Sequence, residues 1–193
     1  METKVYVKIP LERVGVVIGP SGKDKRRIEE ACGVDLVIDS ETGNVEITLR
    51  PETKDVSILL QVENMVKAIG RGFSPQRAFK LLDEDVYLDV IDLTDYVGRS
   101  KNSLERIRGR IIGQNGQSRK IIEDLTGTFI SIYGHTVSLI GELEDMTLAK
   151  EAVLMLVKGS FHKTVFNFLY KERETKKKGL KIWEEPSEKV LKK

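Results

Sequence analysis

From Lys4 to Ile9 apolar and polar residues alternate, with Val5, Val7 and Ile9 separated by Tyr6 and Lys8, the period of a strand with one buried face. Pro10 closes that strand. Leu11 to Ile18 has helical apolar spacing, and Gly19-Pro20 must stop the helix, because proline disfavours a helical residue before it and has no amide hydrogen. Ser21 stands where it can cap a second helix, Lys23 to Cys32, with Gly33 as its C-terminal stop. Val34 to Ile38 and Val45 to Leu49 read as two strands joined across Thr42-Gly43-Asn44. Val56, Leu59, Leu60, Val62, Met65, Val66 and Ile69 then predict a long amphipathic helix over Asp55 to Ile69, ending at Gly70.

The same order returns further along. Val86 to Leu93 predicts a strand, Leu104 to Ile112 a helix, Ser118 to Leu125 a second helix, Phe129 to Ile132 and Thr136 to Ile140 paired strands, and Met146 to Val157 a long helix. Between the copies, Gly70-Arg71-Gly72-Phe73-Ser74-Pro75 reads as a hinge running into a short helix capped by Ser74 with Pro75 in its first turn. The connector is short, so the two units are expected to touch. Beyond Gly159, Phe161, Val165, Phe166 and Leu169 form an apolar stripe suited to packing, and Lys171 to Lys193 is charged enough to fray. The expected division is residues 1–72, a connector 73–84, a second unit 85–159, and a C-terminal helix with charged tail, 160–193.

The recurrence extends to individual residues. Val17-Ile18-Gly19-Pro20-Ser21-Gly22 is echoed by Ile111-Ile112-Gly113-Gln114-Asn115-Gly116. Lys25, Arg26, Ile28 and Glu29 are echoed at the same offset by Arg119, Lys120, Ile122 and Glu123, and Gly33 by Gly127. Shared glycines, charges and apolar positions in register indicate an internal duplication, and two copies argue against a solenoid.

Length and charge narrow the function. The chain has 193 residues, 40% of them hydrophobic, enough for two cores of ordinary size. A net charge of +2 says nothing by itself about a polyanionic partner, so the placement of charge decides. Arg13 to Arg27 and Glu105 to Lys120 each hold an excess of basic residues, and each contains one glycine motif. The lone Cys32 excludes an intramolecular disulfide and, with no N-terminal signal pattern, predicts a reducing, cytoplasmic setting. No stretch is long and apolar enough to span a bilayer, so no membrane partner is expected.

Two helices joined by four residues with glycine at both ends leave backbone amides at the second helix's N-terminus, where the dipole favours an anion. Glycines without side chains let a phosphate backbone come close. Gly22-Lys23 invites comparison with a nucleotide-binding P-loop. That motif needs a glycine where Val17 stands and a Ser or Thr where Asp24 stands, and Gln117 replaces the lysine in the second copy, so an ATPase is excluded.

With these residues in view, both copies resemble KH domains, the RNA-binding module whose GXXG loop clamps the backbone of a short single strand. Gly109-Arg110-Ile111-Ile112-Gly113-Gln114-Asn115-Gly116, followed by Ile121-Ile122-Glu123 and Thr126-Gly127-Thr128, carries the stronger likeness. The resemblance implies an α+β fold: two tandem type I KH domains, each β-α-α-β-β-α with a three-stranded antiparallel sheet packed by three helices, plus a C-terminal helical extension. Arg71-Gly72-Phe73-Ser74-Pro75 leading to Arg77-Ala78-Phe79-Lys80-Leu81-Leu82 between two such units is similar to the Dim-type, or partner-of-Nob, family of small-subunit ribosome assembly proteins. Members of that family bind near the 3′ end of small-subunit ribosomal RNA and assist its processing without cutting it. Eukaryotic members are degenerate at the first loop, so the intact Gly19-Pro20-Ser21-Gly22 points to an archaeal member. The partners implied are single-stranded small-subunit RNA, and a Nob-type endonuclease or the alpha subunit of an initiation factor.

On this reading the RNA-binding candidates are Gly19, Pro20, Ser21, Gly22, Lys23, Lys25 and Arg26 in the first copy. In the second they are Arg110, Ile112, Gly113, Gln114, Asn115, Gly116, Arg119, Lys120, Ile122 and Ile132. The basic residues would supply affinity with little sequence choice. Ile18, Ile28, Val37 and Ile38, with Ile112, Ile122, Ile130 and Ile132, are candidates for an apolar base groove, and periodicity does not separate groove from core among them. Tyr133 is the one aromatic residue placed to stack a base. A scaffold that docks a processing nuclease or an initiation factor is the competing function. An enzyme is not expected: His135 and His162 lack metal-ligand spacing with Cys32 or a carboxylate cluster, no nucleophile and base are paired, and no cofactor is implied.

Overall fold

The computed structural model describes residues 3–184. Its first unit runs β1 (Lys4–Lys8), α1 (Leu11–Ile18), a 3-10 turn, α2 (Lys23–Cys32), β2 (Val34–Ile38), β3 (Asn44–Leu49) and α3 (Ile58–Gly70). A short helix α4 (Pro75–Ala78) and a 3-10 turn lead into the second unit. That unit is β4 (Val86–Asp92), α5 (Thr94–Val97), α6 (Lys101–Ile112), a 3-10 turn, α7 (Gln117–Thr126), β5 (Phe129–Tyr133), β6 (Thr136–Glu142) and α8 (Leu143–Val157). A final helix, α9 (His162–Glu184), follows. Both sheets are antiparallel, ordered β1-β3-β2 and β4-β6-β5, the two α+β units that the sequence predicts.

Local chemistry explains where helix boundaries move. Residues expected to open α3 instead form a turn in which the Ser57 amide and hydroxyl both donate to Asp55 Oδ1, at 2.9 and 2.7 Å. The added helix α5 is set up in the same way, by the Thr94 amide and hydroxyl donating to Asp92 Oδ1 at 2.8 and 2.7 Å. Ser74 accepts from the Arg77 amide as expected of a cap. Ser21 does not cap α2: its φ is 53 and its ψ 29, and Gly22 holds the capping position.

The first sheet buries one face, with Val7, Leu36, Val45 and Ile47 against Val17, Ile28 and Met65. The second buries both. One face carries Ile130, Val137 and Leu139 against the core of α6, α7 and α8. From the other face, Ile140, Val86, Leu88 and Phe129 pack into the first unit's core beside Phe73 and Leu81. As a result β6 is buried from Thr136 through Gly141, whereas β3 alternates. Ser131 Oγ donates to the Arg71 carbonyl at 2.9 Å across this joint, and the Tyr133 hydroxyl donates to Glu12.

The repeat is longer than its motif. Arg13 on α1 donates to the carbonyls of Ile69 and Phe73 (2.9 and 2.8 Å), and Arg110 on α6 to those of Leu156 and Ser160 (3.2 and 2.7 Å). Each arginine ties down the C-terminal end of its unit's long helix. Gly72 and Gly159 follow with φ of 98 and 99, so α4 and α9 leave their units by the same turn. The offset shortens because residues 50–57 lie between β3 and α3, while β6 runs directly into α8. Along α9, Val165 and Leu169 are buried while Phe161, ahead of the helix, is 82% exposed. The helix continues to Glu184 instead of fraying after Lys171, and Lys176 is held 2.7 Å from Asp145. The expected tail beyond Glu184 lies outside the described residues.

A methyl group at Gly72 would sit 2.6 Å from Ser131 Oγ and 3.1 Å from Tyr133 Cβ at a φ that L residues avoid. Gly72→Ala is therefore expected to destabilise the protein by roughly 1–3 kcal/mol and to loosen the joint. Chemical denaturation should show an earlier midpoint, with the two units no longer unfolding together.

Candidate nucleic-acid interface

Each glycine loop is a tight backbone device. Gly19 has φ 71 and ψ 174, and Gly113 φ 72 and ψ 176, a region open only to glycine. Ser21 and Asn115 both take φ 53, and Gly22 and Gly116 follow with φ 76 and 75. Different central residues thus adopt one conformation. The two glycines of a loop do different work. A Cβ on Gly19 would strike the Asp24 carboxylate at 2.2 Å, and one on Gly113 would strike Ser118 Cβ at 2.5 Å, so the first glycine lets the following helix fold back closely. A Cβ on Gly22 or Gly116 would meet nothing within 4 Å, which leaves that side of the loop open to an approaching chain.

Neither α2 nor α7 has a side-chain cap hydrogen bond, so the first amides of both helices have no side-chain acceptor, although Asp24 places a carboxylate in the first turn of α2. Around these ends stand Lys23, Lys25 and Arg26, and Arg119 and Lys120. Lys25 lies 3.7 Å from Glu29. Arg26 donates to the Ser21 carbonyl at 2.8 Å, bracing the first loop from outside. Arg119 Nε is buried without a hydrogen-bond partner.

Two expected contacts are corrected. Ile122 is 0% exposed and lies in the second core, as do Ile130 there and Ile28 in the first, because the same helical stripe that faces the loop's base also faces the sheet. The Arg110 guanidinium turns inward to the end of α8, and the Arg110 carbonyl is 2.8 Å from His162 Nε2. Gly19, Pro20, Ser21, Gly22, Gly113, Gln114, Asn115 and Gly116 form the two loops, with Ile112 and Ile132 partly exposed. Tyr133 is not free to stack a base: Arg13 lies 5.8 Å over its ring. Burial and then Glu12 raise its hydroxyl's pKa above the ordinary value.

The recurring carboxylate behind each motif has a structural role. Glu29 Oε1 accepts the Leu36 amide at 2.9 Å, and Glu123 Oε1 the Ile130 amide at 2.8 Å, so each glutamate ties an edge strand to the loop's helix. Glu123 also holds Arg77 at 3.0 Å, and Arg77 stacks 4.9 Å over Phe129. Arg77 belongs to α4, outside the repeated motif, and nothing in its spacing marks it as a neighbour of the second loop.

Helix, Gly-X-X-Gly turn and helix laid on a sheet whose last strand sits in the middle define a type I KH domain, here built twice. Sequence profiles agree: the eukaryotic-type KH domain (KH-domain type I) matches residues 87–174, and the KH domain matches residues 4–61. A KH domain-containing protein of Methanocaldococcus jannaschii is 44% identical over 94% of this chain and 80% of its own length. The RNA-binding protein PNO1 of Oryzias latipes is 31% identical over 62% of this chain, which spans half of the fish protein. Among solved structures, aDim2p of Pyrococcus horikoshii, in a complex with a/eIF2alpha and rRNA, superimposes with a TM-score of 0.86 at 44% identity over 90% of this chain and 96% of its own. The chain belongs to the Dim2/Pno1 family of two-KH-domain proteins and groups with its archaeal members.

Removing either glutamate strands a buried edge amide, at a cost of about 1–3 kcal/mol. Glu123→Ala, which also leaves Arg77 unpaired, is expected to lower the urea midpoint further than Glu29→Ala.

Proposed function

We propose that this protein binds single-stranded RNA near the 3′ end of small-subunit ribosomal RNA and assists its processing and small-subunit assembly by binding, without cutting. The observation that carries the reading is the pair of loops in one conformation, each open on its Gly22 or Gly116 side and leading into an uncapped helix among basic side chains. Phosphates sit at Gly19–Gly22 and Gly113–Gly116. Lys23, Lys25 and Arg26, and Arg119 and Lys120, add charge contacts, while Ile112 and Ile132 offer apolar surface to bases. The second loop is the principal clamp, because Gly109 to Gly116 carries the closer likeness to a KH motif.

The rRNA in the Pyrococcus complex supports this choice of RNA, and the a/eIF2alpha there supports an initiation factor's alpha subunit as a protein partner. A Nob-type endonuclease is the partner that would do the cutting, in the cytoplasm. Burial pushes the Cys32 thiol up to about 11, which makes it a poor nucleophile here.

Asn115→Asp keeps the side chain's size and adds a negative charge where a phosphate must come. It should weaken binding of a 3′-end rRNA fragment by on the order of tenfold, about 1.4 kcal/mol, and leave the melting temperature unchanged. Ser21→Asp should cost less. Fluorescence anisotropy at two salt concentrations measures both, and unchanged binding in Asn115→Asp would falsify the assignment of the clamp.

A further inference from the structure

Beside the second loop lies a cavity of 510 Å³ that the KH unit does not wall alone: Arg77 of α4 faces Asn115, Gly116, Arg119, Lys120 and Phe129 across it. Arg77 is held there from both sides. On the first unit, the Ser74 cap fixes α4 and the Arg27 guanidinium of α2 lies 4.4 Å over the ring of Phe79. On the second, Arg77 pairs with Glu123 at 3.0 Å and stacks on Phe129.

The charges around the cavity do not cancel. Arg77, Arg119 and Lys120 face Glu123 and Asp124, and Glu123 is already engaged by the Ile130 amide and Arg77. Arg119 Nε makes no hydrogen bond within the described residues and faces the other Glu123 oxygen only at 4.0 Å, so the three cations around the cavity outnumber its two carboxylates. Both features call for an anionic, acceptor-rich chain. Beyond Arg77 the connector meets a further cation at Phe79, where Arg27 lies over the ring from the helix that the first loop opens.

We propose that the connector is a third RNA-contacting element: single-stranded RNA leaving the second loop crosses this cavity, is held by Arg77 and Arg119, and continues over Arg27 toward the first unit. The proposal rests on the RNA-binding reading above. One KH loop holds about four nucleotides, so the track shows only with longer strands.

Anisotropy titrations of the full chain with a tetranucleotide, and with a strand of about three times that length, test it. Arg77→Gln and Arg27→Gln should each weaken binding of the long strand several-fold, spare the tetranucleotide, and flatten the salt dependence by about 0.7 log units per log unit of salt. Arg77→Lys should restore most of the loss. Arg27→Gln leaves the second unit untouched, so it keeps the test decisive if Arg77→Gln lowers the melting temperature. If neither glutamine variant affects the long strand while Asn115→Asp still weakens both RNAs, the track is overturned and the loop reading survives. Equal losses on both lengths also overturn it, and an Asn115→Asp variant that binds both RNAs like wild type defeats the loop reading itself.

Discussion

Gly19 and Gly113 sit at φ 71 and 72 with ψ near the extended limit, where any side chain would clash with its own backbone and with the helix that follows. From that constraint the rest is built. The turn stops one helix, reverses the chain within a few residues, and starts the next helix without a side-chain cap. Pro20-Ser21 and Gln114-Asn115 are chemically unlike, yet the flanking glycines force them into one shape. The site is therefore made from backbone, with side chains adding charge around it, which suits a ligand recognised by its sugar-phosphate chain more than by a few chosen bases.

Strand and helix periods, helix stops and the duplicated motif could all be read from the residues, because they depend on neighbours close in sequence. α1, α2 and β2 have the bounds expected from Pro10, Gly19 and Gly33 alone. What depends on distant packing could not. Ile122 and Ile112 look alike in a helical pattern, but only one of them reaches the sheet. Thr136 to Leu139 alternates as a half-exposed strand would, and only the first unit's presence on the outer face buries the strand from Thr136 through Gly141. Arg110 lies in a basic cluster, yet its nearest acceptors are carbonyls at the end of α8, far along the chain.

The arginine pair shows how far the duplication has drifted while keeping its mechanics. Arg13 and Arg110 are not aligned by the glycine motif, being one helical turn apart in register, yet both hold the carbonyl end of their unit's long helix. The same C-terminal exit, marked by Gly72 and Gly159, lays α4 against α3 with Arg77 reaching the second unit, and sends α9 back onto α7 and α8. An element repeated in sequence has thus become a joint in one copy and a brace in the other.

The two-sided burial of the second sheet has a thermodynamic corollary. Modules strung on a flexible tether meet a second ligand segment at an effective concentration averaged over many separations, and avidity then falls only gradually as the tether changes. Here no such averaging occurs, since the joint through Ser131, Tyr133 and Ile140 holds the two loops as one body. On the proposed function, cooperation between them would be a ruler: generous toward a strand whose unpaired stretch matches the fixed gap, and nil toward one that falls short.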